Sequence, residues 1–374
     1  LGLIALAAYR PVFGFWPHAP KNFARLMAGI FALMLLSSIW SVDPSMTLER
    51  SSKAIAVILG GVLLIAVAVN LPRQTADIVE KYAPYVFLAS LAYCLYELYS
   101  PVRIYDLIRP DEPPSFADNL SHMNRSVVIL TLFFLIIFQN LRQNLQTRRN
   151  KILLGMGTLG MLAVILQTDS QGAQVGFVIG LLFCFAYPYK SGKAFAVIAG
   201  LIAAVMIAAP LIPGVLLHNL PPYIAGNTWL TSSASALPRM EIWDFIARRA
   251  LQSPIIGHGM NAARVIDDFD TAMLYHPSRH VLHPHNFVLQ IWLEFGLVGA
   301  ALATAFLIYL LRAILQSPAA ALYLPVFCAA LTIAGTTYGL WQSWWLGCFF
   351  LIAALAVILA KSYPQNPKAS SLKP

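Results

Sequence analysis

Charged residues are scarce in this sequence. Asp, Glu, Lys and Arg together make up 11% of its 374 residues, against about 25% in an average soluble protein. Negatively charged residues are scarcer than positively charged ones, with 16 Asp and Glu against 25 Lys and Arg. So few charges cannot cover the surface of a soluble domain, whereas apolar residues reach 59% of the chain. The composition therefore indicates an integral membrane protein.

Cysteine is also rare, and the few cysteines present all fall in apolar runs: Cys94, Cys184, Cys328 and Cys348. Such positions are typical of small buried hydrophobic residues and exclude a disulfide framework or a cysteine metal site. The sequence contains no P-loop, no glycine-rich dinucleotide fingerprint and no nucleophile elbow. It also contains no basic stripe with interleaved aromatic residues, so we expect no nucleic-acid partner.

Long apolar runs predict an all-α, polytopic fold, because they are too long and continuous for barrel strands. Eleven runs are long enough to be candidate spans. They cover residues 1–16, 23–40, 48–69, 78–99, 124–141, 151–167, 173–189, 194–216, 286–313, 319–337 and 340–360. Two long polar connections, 100–123 and 217–284, separate them, and we expect one or two short helices in the second.

Lys and Arg residues concentrate in one set of connections, together with only two acids, Asp77 and Glu80. The positive-inside rule places that set in the cytoplasm. The predicted organisation is then N-terminal transmembrane helices over 1–216, an outer loop or lid over 217–284, C-terminal transmembrane helices over 285–361 and a cytoplasmic tail over 362–374.

The stretch His283-Pro-His-Asn-Phe-Val-Leu-Gln-Ile-Trp-Leu-Glu-Phe-Gly-Leu-Val-Gly299 joins the outer loop to an apolar helix. Because proline is tolerated in a first helical turn, we predict a helix from Pro284 to about Leu311, with His285 in its first turn. The helix dipole there disfavours imidazolium, so His285 should be neutral, as a general base must be. Asn286, Gln290 and Glu294 should form one polar stripe.

These residues carry a family resemblance. His-Asn-x-x-Leu-Gln followed by Glu-x-Gly-x-x-Gly, after a long loop in a polytopic protein, resembles the O-antigen ligase / O-antigen polymerase superfamily. Arg239-Met-Glu-Ile-Trp243 and Pro254-Ile-Ile-Gly-His-Gly259 resemble the loop of the same family. The resemblance implies twelve spans with both ends inside, a layout that a missing N-terminal helix would restore, so we expect about 11–12 transmembrane helices.

The resemblance implies His285 as the catalytic base and Arg239 as a clamp on the pyrophosphate of a lipid-linked donor. Related proteins commonly carry Ser-Arg where this chain has Ser170-Gln171, so the phosphate contact made there by arginine is expected from elsewhere. Arg125 and Arg279 are the hypothetical replacements. The full set of predicted substrate-binding residues is Arg239, Arg125, Arg279, Asn286, Gln171 and Gln174.

The histidine-rich end of the loop allows one competing interpretation, a zinc site. His276 and His280 have helix-compatible spacing, but no cysteine or placed carboxylate completes a ligand set. We expect His276, His280 and His283 to be surface histidines, and we expect no metal or other cofactor.

The resemblance implies a glycosyltransferase of the bacterial inner membrane whose active site faces the periplasm. Its donor is an undecaprenyl-pyrophosphate-linked glycan and its acceptor is lipid A–core, which describes an O-antigen ligase surrounded by membrane lipids. Polymerisation of O-antigen or exopolysaccharide and O-glycosylation of proteins are alternatives. A transporter or lipid flippase is the non-enzyme alternative, but the polar groups gather on one membrane face rather than along the spans.

Overall fold

The computed structural model describes residues 9–100, 103–108, 123–143, 145–186, 192–219, 236–266 and 281–363. This part of the chain contains helices and no β-strand, so the all-α prediction is confirmed. The helices are α1 (Lys21–Leu36), α2 (Pro44–Asn70), α3 (Arg73–Tyr99), α4 (Ile104–Ile108), α5 (Asn124–Gln143), α6 (Arg148–Gln167), α7 (Gln171–Ala186), α8 (Gly192–Ala208), α9 (Ile212–Asn219), α10 (Ala236–Ala250), α11 (Phe287–Gln316), α12 (Ala320–Ala334) and α13 (Ser343–Ala360). Short 3₁₀ turns lie at Ser37–Ile39, Ala209–Leu211 and Ala262–Arg264.

Seven helical segments within the described ranges are long and apolar enough to cross a membrane. Two further apolar helices are shorter, Gln171–Phe185 and Ala320–Ala334. Every predicted span from 23–40 onward coincides with helical structure, and the first, 1–16, is described only from residue 9. The protein is therefore an all-α polytopic membrane protein, as the apolar runs predict.

Local signals set the helix starts where the sequence suggests them. α2 begins at Pro44 directly after Asp43, whose Oδ1 accepts the backbone N–H of Met46 at 2.9 Å. A side-chain acceptor followed by proline is a favoured helix start, because the acceptor satisfies an exposed N–H and proline has none to satisfy. Thr147 caps α6 in the same way, by accepting the N–H of Asn150 at 3.3 Å.

The described helices form two compact units. One unit comprises Leu64–Tyr189, Ile314–Ile333 and Cys348–Pro374. Its core contains packed phenylalanine side chains, and the ring centroids of Phe134 and Phe177 are 5.3 Å apart. Gly180 allows α7 to approach α5 closely, because a Cβ there would lie 2.3 Å from the side chain of Leu135.

The other unit comprises Leu1–Leu63, Lys190–Ala313 and Ala334–Gly347, and a broken helix organises it. α11 is interrupted at Gly296, where φ is 58° and ψ is −149°, a backbone conformation almost confined to glycine. The prediction of an uninterrupted helix through this residue is therefore wrong. The break leaves backbone N–H and C=O groups on both sides without partners inside the helix.

The loop 254–259 supplies those partners. Its backbone N–H groups at His258 and Gly259 donate to the carbonyls of Leu293 and Glu294, at 2.8 and 2.9 Å. Its carbonyls at Pro254 and Ile255 accept from Leu297 and Val298, at 2.8 and 3.1 Å.

Two glycines allow the loop and the broken helix to touch backbone to backbone. A Cβ on Gly257 would lie 2.4 Å from the carbonyl carbon of Glu294, and a Cβ on Gly296 would lie 2.5 Å from that of Ile255. The two motifs noticed in the sequence, Pro254–Gly259 and Glu294-x-Gly, are therefore two halves of one junction.

Candidate functional site

His285 lies just before α11 rather than in its first turn. The helix begins at Phe287, and Asn286 caps it, because its Oδ1 accepts the N–H groups of Val288 and Leu289 at 3.0 and 3.2 Å. His285 has a φ of 54°, which no α-helical residue adopts. The predicted start at Pro284 is therefore wrong, and the reason is that an Asn side chain satisfies the first helical N–H groups.

The imidazole of His285 is oriented by a backbone carbonyl. Its Nδ1 hydrogen-bonds to the carbonyl oxygen of Thr337. A carbonyl can only accept, so Nδ1 carries the proton and the basic lone pair of the neutral ring resides on Nε2. This is the arrangement that a general base needs, since one nitrogen holds the ring while the other takes a proton.

Thr337 belongs to the segment that joins α12 to α13, which we call the 335–342 loop. The carbonyl of the preceding residue, Thr336, accepts from Nη1 of Arg239 at 2.9 Å. Gly339 in the same loop faces His283, and a Cβ there would lie 2.8 Å from the imidazole. One short loop thus lies against the side chains of both candidate residues, His285 and Arg239, and against His283.

Helix α10 brings the second sequence motif to the same place. Arg239 and Trp243 are four residues apart and so share one face of the helix. The indole N–H of Trp243 donates to the carbonyl of Pro284 at 2.8 Å, directly before His285. The motif Arg239–Trp243 and the motif around His285 therefore form one site, which the sequence predicts only through the family resemblance.

The electrostatics of the site are cationic. Burial lowers the pKa of Arg239, but a guanidinium is basic enough to stay charged at pH 7. Among the described residues no carboxylate forms a salt bridge with it. Burial also lowers the pKa of Arg264, as does the nearby positive charge of Arg50. Such a site suits an anionic ligand.

His283 is half-buried against His285, with ring centroids 4.2 Å apart at 80°. The expectation of a surface histidine is wrong here, because Gly339 leaves room for the ring. Burial lowers the pKa of His283, and the charges of Arg264 and Arg239 lower it further, although a backbone hydrogen bond opposes them. His283 is therefore an uncharged ring packed edge-on against the candidate base.

The remaining predicted residues divide into two groups. Arg125, Gln171 and Gln174 belong to the other compact unit. There the amide of Gln174 donates to the carbonyls of Ile165 and Thr168, at 3.2 and 2.9 Å, and so caps the end of α6. Arg279 lies outside the described residues, as do His276 and His280. The roles predicted for the residues of both groups stay predictions.

The sequence interpretation missed the 335–342 loop. Its apolar residues continue the flanking runs, so the predicted spans 319–337 and 340–360 absorb almost all of it, whereas α12 ends at Ala334 and α13 begins at Ser343. The signal that could have revealed it is Gly335-Thr-Thr-Tyr-Gly339, two glycines around polar residues.

Comparison with known proteins identifies related sequences. Residues 156–304 match a family model described as O-Antigen ligase, and this range includes Arg239 and His285. A protein of Rickettsia prowazekii (strain Madrid E), named "Putative polysaccharide ligase", is 29% identical over 221 residues, which cover 57% of this chain and 52% of the relative. A protein of the same printed name from Rickettsia typhi (strain ATCC VR-144 / Wilmington) is 30% identical over 203 residues, covering 52% and 49%. The chain spans about half the length of these curated relatives.

Proposed function

We propose that the protein is a membrane glycosyltransferase of the O-antigen ligase type, because residues 156–304 match a family model of that description. Its donor is a glycan linked to undecaprenyl pyrophosphate, and its acceptor is lipid A–core. The observation that carries the proposal is the pair of adjacent carbonyls, Thr336 and Thr337, that hold an arginine and a histidine in one site.

The imidazole of His285 and the guanidinium of Arg239 define the proposed reaction. Nε2 of His285 takes the proton of an acceptor hydroxyl as its oxygen attacks the anomeric carbon. The bond from that carbon to the pyrophosphate oxygen breaks on the opposite face, so the configuration inverts. The bonding electron pair stays on the pyrophosphate, and the proton on His285 returns to water or to the released product.

Arg239 compensates the charge that develops on the leaving pyrophosphate. A guanidinium offers five N–H donors in a planar fork, of which one is used on Thr336, and the fork matches phosphate oxygens. A leaving group stabilised in this way needs no protonation, so one base and a cationic site suffice for the chemistry.

The distribution of basic residues supports the proposed location of the site. Lys and Arg concentrate on the connections opposite the His285 loop, which supports a site facing the periplasm in the inner membrane of a bacterium. The lipid tail of the donor would then lie among the membrane helices, with the reacting sugar at the membrane surface.

The decisive experiment reconstitutes transfer with purified protein, lipid-linked repeat units and lipid A–core. The expected result is joined product and released undecaprenyl pyrophosphate, unchanged by EDTA. His285→Ala should lower the rate by at least about 100-fold, the lower range for loss of a general base, while His18→Ala, which removes an exposed imidazole, should not.

The acceptors in the same assay separate the related activities. Product only with a growing lipid-linked glycan would indicate a polymerase, and product only with a protein would indicate O-glycosylation. Near-normal transfer by His285→Ala would remove the assignment of the base. If no acceptor gives product and the donor moves across vesicle membranes, the protein is a flippase rather than an enzyme.

A further inference from the structure

Two polar side chains are buried inside the apolar helix α11. Gln290 is 2% exposed and Glu294 is 0% exposed. They lie one turn apart, and the Gln290 amide donates to Oε1 of Glu294 at 2.9 Å. Buried polar groups in such a helix are costly unless they are satisfied, and they commonly serve function.

Two further bonds of this pair go to the 335–342 loop, and the Glu294 carboxyl also has a backbone hydrogen bond with Asn261. Oε1 of Gln290 accepts the backbone N–H of Leu340 at 2.8 Å. Oε2 of Glu294 accepts the indole N–H of Trp341. Two consecutive loop residues are thus bound by two consecutive turns of the helix.

The other end of the same loop holds the site. Only two residues separate Leu340 from Thr337, whose carbonyl orients His285, and Thr336 beside it binds Arg239. α11 also begins one residue after Asn286, next to His285 in sequence. The helix, its polar pair, the loop and His285 therefore form a closed ring of covalent and hydrogen bonds, a geometry that restricts movement of the imidazole.

We propose that Gln290 and Glu294 are positioning residues: they hold the 335–342 loop so that its Thr336 and Thr337 carbonyls aim the guanidinium of Arg239 and the imidazole of His285. The inference rests on the proposed function of that site. It adds residues that never touch substrate, and it assigns the loop a role in catalysis rather than in packing alone.

The least disruptive test is Trp341→Phe. It removes one N–H donor to Glu294 and keeps an aromatic ring against Phe295, whose centroid lies 6.2 Å away. Trp40→Phe is the matched control, because Trp40 is also half-buried and also donates one indole N–H bond in the same unit, to the carbonyl of Ile256 at 3.1 Å.

Displacement of a catalytic group by about 1 Å costs on the order of 100-fold in rate. We expect Trp341→Phe to lower kcat about 10- to 100-fold. Its melting temperature and oligomer size should equal those of Trp40→Phe. Gln290→Leu, which removes the bond to Leu340 in the loop and the bond to Glu294, should lower kcat at least as far.

A spectroscopic signature separates positioning from folding. In protein labelled with ¹⁵N-histidine, the His285 resonances, assigned by their loss in His285→Ala, should show one Nδ1–H tautomer in the parent and in Trp40→Phe. Trp341→Phe should show a mixture of tautomers. Normal kcat and an unchanged tautomer in folded Trp341→Phe and Gln290→Leu would overturn the inference.

The outcomes also separate this inference from the proposed function. If His285→Ala is inactive while Trp341→Phe and Gln290→Leu are normal, the function stands and the positioning role fails. If His285→Ala is active, the base assignment fails first, and the tautomer measurement still reports whether the loop orients the ring.

Discussion

Gly296 is a residue at which a single added methyl group should strongly destabilise the protein. In Gly296→Ala the new Cβ would lie 2.5 to 2.8 Å from the C, O and N backbone atoms of Ile255 and Ile256. These are backbone atoms, so no side-chain rotation relieves the clash. The φ of 58° with ψ of −149° adds about 1–3 kcal/mol of strain for a residue with a Cβ.

Relief of the clash requires the loop 254–259 to move away from α11. The bonds from Leu297 and Val298 to the loop carbonyls, at 2.8 and 3.1 Å, would then lengthen or break. Each is worth about 1 kcal/mol. The strain and the two bonds together predict a loss of about 3–5 kcal/mol in the free energy of unfolding.

The assay is reversible unfolding in mixed micelles, followed by tryptophan fluorescence. Gly347→Ala is the matched control: Gly347 is a helical glycine of the same unit, and a Cβ there meets nothing within 4 Å. It should change stability by less than about 1 kcal/mol. If Gly296→Ala were as stable as Gly347→Ala, α11 would run straight through this residue and the described junction would be refuted.

Two further predictions concern the site. Arg239→Lys keeps a positive charge but loses the planar fork, so the KM for the lipid-linked donor should rise about tenfold, as a loss of about 1.4 kcal/mol would give; a KM unchanged in both Arg239→Lys and Arg239→Ala would contradict the clamp. His283 should make stability fall in acid. Its pKa in the folded protein lies below the ordinary value of 6.5, so as the pH falls below about 6.5 the unfolded chain takes up a proton that the folded site resists. The melting temperature should therefore drop more between pH 7.5 and 5.5 in the parent than in His283→Gln, and parallel curves would contradict this assignment.

Much of the fold follows from local composition. An apolar run long enough to cross a bilayer must form a helix, because every backbone N–H and C=O needs a partner that lipid does not provide. That constraint acts residue by residue along the chain, which is why the spans from 23–40 onward coincide with helices. Helix α10 is likewise one of the short helices expected in the connection 217–284.

The candidate site was only partly predictable. The residue types at His285 and Arg239 carry the family pattern, and their meeting in one unit agrees with it. The predicted helix start, Pro284, was wrong by three residues, because proline in a first turn and Asn286 as a cap before Phe287 are both compatible with the sequence. The side-chain bonds from Asn286 to Val288 and Leu289 decide between them.

Amino-acid order alone established the helical membrane class and the pair of motifs that frame the chemistry, since both depend on residues near one another in the chain. Folding in three dimensions decided the break at Gly296, the hydrogen bond that orients His285, and the bonds that Gln290 and Glu294 make to the 335–342 loop. These features depend on partners far along the chain: His285 and Thr337 are 52 positions apart, Gln290 and Leu340 are 50 apart, and Glu294 and Trp341 are 47 apart. A hydrogen bond across such a distance leaves no periodic trace in sequence, because its geometry is set by how the helices pack.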